Sequence, residues 1–322
     1  MKRFALALLG IAFATAGAAQ NPPSEEEIRA MAAAQAAYHA MPDTAGTGAF
    51  PAIKEMARAL PDHTIYRPAN LADIPERSLG IVGWGNGGCS ADGASQRLHL
   101  AEIASHGYVV IAPGKITSGP GMPPPAPPEP GPQELVARTT SAQVLAGIEW
   151  ALAENARPGS PLYNLIDPER VAVSGFSCGG IQALELANDP RIKAVVVHNS
   201  GLFPDGTRPM GGIVTEKAWL DRLRTPVIYI MGGPTDIAYE NGLDDFRRIT
   251  KVPVAWLNQD TGHGGTFQEP NGGAAAQVAV AWLEWQLRGD EKAGAMFLGD
   301  NCGVCSDSRW TIERKNWESL SK

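Results

Sequence analysis

Three residues in the second half of the chain have the types and order needed for nucleophilic chemistry. Ser177 lies in RVAVSGFSCGGIQALELA, Arg170 to Ala187, where an apolar run enters Gly175-Phe176-Ser177-Cys178-Gly179 and a helical pattern leaves it. G-x-S-x-G between strand and helix is a nucleophile elbow, a tight strained turn that lifts the hydroxyl above a sheet edge. Serine is a weak nucleophile and needs a base, itself oriented by an acid. Asp236 follows a strand pattern in TPVIYIMGGPTDIAY, and His263 follows the next one in VPVAWLNQDTGHGG. The order Ser177, Asp236, His263 is that of an acyl-transfer triad. Asp260 is the alternative acid, but it is close to His263 in sequence and poorly placed to reach behind the imidazole. His198 ends an apolar run out of order for the base, and reads as a pocket or core histidine. His39, His63, His99 and His106 are expected to be structural and away from this edge.

Attack on a carbonyl also needs two N–H donors where its oxygen becomes negative. The residue after the nucleophile, Cys178, offers one. The other is expected from a loop after an earlier strand. The stretch GWGNGG, Gly83 to Gly88, follows the apolar Leu79-Gly80-Ile81-Val82, and Asn86 is the expected backbone donor. GWGNGG also matches the G-x-G-x-x-G dinucleotide fingerprint, but the supports are missing. Cys89 to Gly93 intervene before any helix, and no acidic residue ends a following strand to hold a ribose.

The elements that must position these residues alternate. Strand signals fall at His63–Arg67, Leu79–Gly83, Tyr108–Ala112, Val171–Ser174, Ala194–His198, Val227–Met231 and Val254–Asn258, with helical patterns near 93–105, 138–156, 179–188, 240–249 and 274–287. Continuous apolar strands alternating with helices predict an α/β fold with a mostly parallel sheet covered on both faces. Ligands in such sheets sit beyond the carboxyl ends of the strands, where all three candidates fall. Residues 117–133, TSGPGMPPPAPPEPGPQ, are too rich in proline for helix or central strand. They read as a solvated loop, or as a stiff rim of the substrate cleft. Residues from Gly201 to Arg224 hold one helical stretch near Glu216–Leu223, too little for a large cap. An open cleft is expected, bordered by Leu202, Phe203 and the proline-rich loop.

Lys2-Arg3, the apolar Phe4 to Phe13 and the small Ala16-Gly17-Ala18-Ala19 form the three regions of an export signal. The division expected is a signal peptide at 1–19, an N-terminal extension at 20–60, a catalytic domain at 61–300 and a C-terminal tail with C-x-x-C at 301–322. In the extension, Ser24 and Glu27 form a capping box, and Ile28, Met31, Ala32 and Ala36 share one helix face. The protein is expected to be periplasmic or secreted. In an oxidising compartment the four cysteines allow three pairings. Cys89 borders the oxyanion loop and Cys178 follows the nucleophile, so Cys89–Cys178 and Cys302–Cys305 are the expected bridges. A free buried Cys178 thiol is the alternative. Zinc is disfavoured, because no histidine lies near Cys302 and Cys305 in sequence.

The 322 residues carry a net charge of −7 without a basic run, which speaks against nucleic acid as a partner. No apolar run reaches the roughly 20 residues of a membrane span. A monomer is expected, with a small-molecule or polymeric ester as substrate and no metal or organic cofactor.

GFSCGG, the Asp236-Ile237-Ala238 turn and GHGG resemble the α/β-hydrolase superfamily, in the branch of dienelactone hydrolases and cutinase-like polyester hydrolases. LPDHTIYRP, WGNGGCS, ASHGYVVIAPG, GHGGTF and NCGVCSDSRW resemble a secreted bacterial and fungal subgroup of that branch. The likeness spans roughly residues 45–317. It implies an α/β-hydrolase fold, a Ser177–Asp236–His263 triad and an oxyanion hole at Asn86 and Cys178. Dienelactone hydrolases use cysteine where this chain has Ser177, and polyester hydrolases often have an aromatic residue where it has Asn86. Polyester cleavage is therefore not implied. The activity expected is carboxylic-ester hydrolysis through an acyl-enzyme. The rivals are an acyltransferase or peptidase using the same triad, and a binding protein on a hydrolase scaffold.

Overall fold

The structure is a computed structural model and describes residues 25–123, 134–317 and 320. The expected export signal, Ser24 of the capping box and residues 124–133 of the proline-rich segment lie outside these residues.

The strands are β1 (Ala52–Ala57), β2 (Leu60–Pro68), β3 (Leu79–Gly85), β4 (Tyr108–Pro113), β5 (Ile166–Phe176), β6 (Ala194–His198), β7 (Val227–Met231), β8 (Val254–Asn258) and β9 (Thr311–Lys315). They form one sheet in the order β1-β2-β4-β3-β5-β6-β7-β8-β9. The run from β4 to β8 is parallel throughout, while β1, β2 and β9 are antiparallel to their neighbours. The helices are α1 (Glu25–Ala40), α2 (Arg97–Ser105), α3 (Ser141–Ala156), α4 (Cys178–Leu186), α5 (Tyr239–Arg248) and α6 (Gly273–Arg288). This is an α/β-hydrolase fold.

Successive side chains of a strand point to opposite faces, and both faces here are covered. Val82, Trp84, Val196, Ile228, Ile230 and Leu257 pack on the face that carries α2 and α6. Ile81, Val195, Val197, Tyr229 and Trp256 pack on the other, against α3, α4 and α5. Local signals start and stop the helices. Thr140 and Gln143 form a reciprocal capping box at α3, and Gly289 ends α6 in the left-handed conformation at φ 68°.

The sheet takes in residues from both segments expected to flank the catalytic domain. β1 lies in the expected extension and pairs with β2, and β9 lies in the expected tail and pairs with β8. Both are edge strands with polar sequences, AIKEMA and TIERK, as edges that resist aggregation require. Of the residues expected to share one face of α1, Ala32 and Ala36 are exposed. The helix is fastened near its C-terminus. Tyr38 donates to the Ser95 carbonyl and stacks under the Arg97 guanidinium, and His39 bonds the Met122 carbonyl.

Candidate active site

β5 delivers Ser177 to the edge of the sheet at φ 53° and ψ −122°, a region that a side chain rarely occupies. Such strain persists only where surroundings hold it. Here the Ser177 N–H donates to the His198 carbonyl at 3.0 Å, and Ser200 Oγ donates to the Ser177 carbonyl at 2.6 Å. Glycine is required around the turn. A Cβ on Gly175 would stand 2.1 Å from the Gly179 carbonyl oxygen, so the helix could not start so close to the strand.

His263 Nε2 lies 2.9 Å from Ser177 Oγ, and its Nδ1 lies 2.6 Å from Asp236 Oδ1. The expected three residues are thus brought together, and Asp236 rather than Asp260 stands behind the imidazole. The loops after β7 and β8 make this possible by binding each other: Thr261 N–H and Gly262 N–H both donate to the Gly232 carbonyl. Asp236 is 3% exposed. Burial pushes its carboxyl up. The hydrogen bond and charge of His263, the Ala238 N–H and the Asn199 amide outweigh that, and hold it below the usual carboxylate range. The imidazole is partly accessible, and Phe176 packs beside it with ring centroids 5.3 Å apart.

Asn86 is buried, and its Nδ2 donates to the Ser90 and Pro113 carbonyls. Its side chain is therefore committed to holding its own loop against the end of β4. The loop meets the elbow directly, since a Cβ on Gly179 would stand 2.7 Å from Asn86 N. A disulfide joins Cys89 to Cys178, and a second joins Cys302 to Cys305.

The structure places other candidates elsewhere. His198 belongs to the core, where burial holds its pKa well below the usual range. His99, expected far from this edge, is nearer than its sequence position implied. Its ring meets those of His198 and Phe267 with centroids 4.7 and 4.9 Å apart, and Phe267 meets Phe176. Burial pushes His99 down to about 3, so both rings serve as neutral packing under the site. His63 bonds the Gln143 carbonyl, and His106 bonds Glu102.

Leu202 was expected to border the cleft and does not. It is 0% exposed in the core, and its N–H donates to Asp245 Oδ2. Asp245 in turn pairs with buried Lys217, so the chain after β6 turns inward to reach them. Phe203 is half-buried against the same core. A small, largely buried apolar cluster lies beside the elbow. The Cys89–Cys178 disulfide packs with Met210, and Leu135, Ala137 and Ile213 border it. Two distant loops build this cluster: Ala137 N–H donates to the Gly211 carbonyl and Gly211 N–H to the Leu135 carbonyl. Arg138 and Thr139 N–H anchor it to the Cys89 carbonyl. Val136 and Val214 are 51% and 56% exposed. The pairing of two segments so far apart gave no sequence signal. Asn199 was also missed, although its place just past the end of β6 was a signal.

The fold and the hydrogen-bonded Ser177, His263 and Asp236 define the class: an α/β-hydrolase with a serine–histidine–aspartate site. Residues 63–310 match the model of the PET hydrolase-like family, and the chain belongs to that family of ester hydrolases. No curated protein matches the chain.

Proposed function

We propose that the protein is an exported serine hydrolase that cleaves carboxylic esters through an acyl-enzyme on Ser177. The observation that carries this reading is the unbroken chain from Ser177 Oγ through His263 to Asp236 Oδ1, at 2.9 and 2.6 Å. His263 Nε2 takes the hydroxyl proton as Ser177 attacks the ester carbonyl. Asp236 holds the Nδ1–H tautomer and stabilises the imidazolium. The backbone N–H groups of Asn86 and Cys178 receive the oxyanion, with the N-terminus of α4 adding its positive end. His263 then protonates the leaving alcohol. Water, deprotonated by the same imidazole, attacks the acyl-enzyme and releases the acid.

The apolar part of the ester rests on the surface around the disulfide, on Val136, Ile213 and Val214. The family name brings aromatic polyesters into the range of substrates to test. The absence of an aromatic side chain at Asn86 sets this chain apart from many polyester hydrolases, so small esters belong in the same panel. Export is supported by the three-part pattern at 1–19 and by two disulfides.

Product analysis tests the reaction. Hydrolysis should release acid and alcohol in equal amounts, with ¹⁸O from labelled water in the acid. Faster transfer to an added alcohol, or cleavage of a peptide in preference to esters, would overturn the hydrolase reading. The mature N-terminus of exported protein should begin after Ala18 or Ala19; a mature protein that retains Met1 would overturn export by this signal.

A further inference from the structure

Three consecutive residues at the end of β6 hold the machinery on either side of them. His198 and Ser200 bond the backbone of Ser177, as described above. Asn199 reaches the other way. Its Nδ2 donates to Asp236 Oδ2 at 2.9 Å and to the Gly262 carbonyl at 3.2 Å. Both partners are acceptors, so only the NH₂ end of the amide can face them. One planar group thereby spends its two hydrogens on the acid and on the residue before the base. Asn199 is itself firmly placed. It is 2% exposed, its backbone is left-handed at φ 45°, and its N–H donates to the Ile230 carbonyl of β7.

The two oxygens of Asp236 are held differently. Oδ1 receives His263 Nδ1 and the Ala238 N–H. Oδ2 receives the Gly232 N–H and Asn199 Nδ2. Without the amide, half of the support on Oδ2 is gone. A buried carboxylate short of donors rotates toward new ones or takes up a proton. Either change disturbs the oxygen that orients the imidazole. The Gly262 carbonyl would lose its tie as well, loosening the turn that carries His263.

We propose that Asn199 is a positioning residue, whose amide fixes the rotation of the Asp236 carboxylate and the seat of the Gly262–His263 turn. This rests on the triad reading of the site. Asn199 touches no substrate. Its effect should therefore fall on kcat and not on KM.

Two variants test it. Asn199→Gly accepts the left-handed backbone and removes the donor. A lost hydrogen bond to a charged group corresponds to about 10- to 100-fold in kcat, with KM within about twofold of wild type. Asn199→Asp keeps the shape and sets a second carboxyl against Asp236. Two such groups at hydrogen-bond distance cannot both ionise, so the pair retains a proton well into the neutral range. That proton lets the introduced carboxyl donate to Asp236. The ratio of kcat in Asn199→Asp to kcat in wild type should then rise at least about tenfold from about pH 8 to about pH 5. The other titratable groups nearby are His263, bonded to Asp236, buried His198, and Asp260, which approaches Gly233. Both proteins contain them, and an added negative charge beside Asp236 favours a protonated His263, which would lower the ratio toward pH 5, opposite to the expected rise.

A merely structural asparagine would not produce this pH-dependent rescue. If Asn199→Gly does not fold, the ratio for Asn199→Asp decides, and a flat ratio overturns the proposal. Unchanged kcat in a folded Asn199→Gly also overturns it. Asp236→Asn separates the two layers. If it inactivates the enzyme while the Asn199 variants do not, positioning fails and the triad stands; if it leaves activity intact, the triad reading itself fails.

Discussion

Gly179 and Gly85 meet backbone to backbone: a Cβ on Gly179 would stand 1.9 Å from the Gly85 carbonyl oxygen. The first turn of α4 can therefore sit against the end of β3 only because both positions lack a side chain. This contact brings Asn86 and Cys178 to the same place beside Ser177. It also gives a packing reason for glycine at the end of β3. The disulfide from Cys89 to Cys178 fastens the same two loops a few residues further on.

That disulfide should matter more than its partner. It joins residues 89 apart in sequence, against 3 for Cys302–Cys305. Loop-closure entropy assigns about 4–5 kcal/mol to the long loop and about 2 kcal/mol to the short one. Replacing Cys89 and Cys178 together by alanine should lower Tm more than the equivalent change at Cys302 and Cys305. It should also lower kcat by about tenfold or more, approaching the roughly 10²–10³-fold cost of losing one oxyanion donor. Equal Tm losses and unchanged kcat would show that the loops hold their places without the bridge.

Asp236→Asn should fold and lose about 10⁴-fold in kcat, because the amide no longer selects the Nδ1–H tautomer of His263. Asp260→Asn serves as the comparison and should keep nearly full activity. The reverse pattern would move the acid to Asp260.

Val136→Asp should weaken binding of apolar esters. Val136 is 51% exposed beside the disulfide surface, so the change should be tolerated by the fold. Loss of one apolar contact corresponds to about 10-fold in kcat/KM for a long-chain or aryl ester, with much less effect on an acetate. Equal effects on both esters would place the apolar part of the substrate elsewhere.

Asp245 should leave a signature in the pH dependence of stability. Burial pushes its carboxyl from 3.8 up to about 6, against the pull of the Lys217 ion pair and the Leu202 N–H. Between about pH 4 and pH 6 the folded protein then holds a proton that the unfolded chain has released. The contribution of this group to stability is full below that window and is lost as pH rises through it. Relative to wild type, Asp245→Asn should therefore gain stability as pH increases from about 4 to 6 in denaturant titrations. A constant difference, or one that moves the other way, would mean that the pair with Lys217 keeps Asp245 ionised throughout.

The central strands were legible because both faces of each are buried. Ala194–His198, Val227–Met231 and Val254–Asn258 are apolar in at least their first four residues, and the structure has strands at those bounds. β1 and β9 were not legible. Their residues alternate weakly and carry charge because each lies at an edge, although Trp310 and Trp317, both buried, flank β9. Ser177, Asp236 and His263 stood out because each follows a strand and their order is distinctive. The cleft border did not. Position just after β6 suggested exposure for Leu202, but the buried Asp245–Lys217 pair draws that segment inward. The apolar cluster at Leu135, Met210 and Ile213 forms only when residues 135–137 and 211 pair, a contact that no local pattern encodes.

The most direct test of an activated serine is labelling of the folded protein with a fluorophosphonate, followed by peptide mapping. A single adduct should map to Ser177, and His263→Ala should abolish it while the protein stays folded. An adduct on another residue, or none on folded wild-type protein, would contradict a Ser177 nucleophile activated by His263.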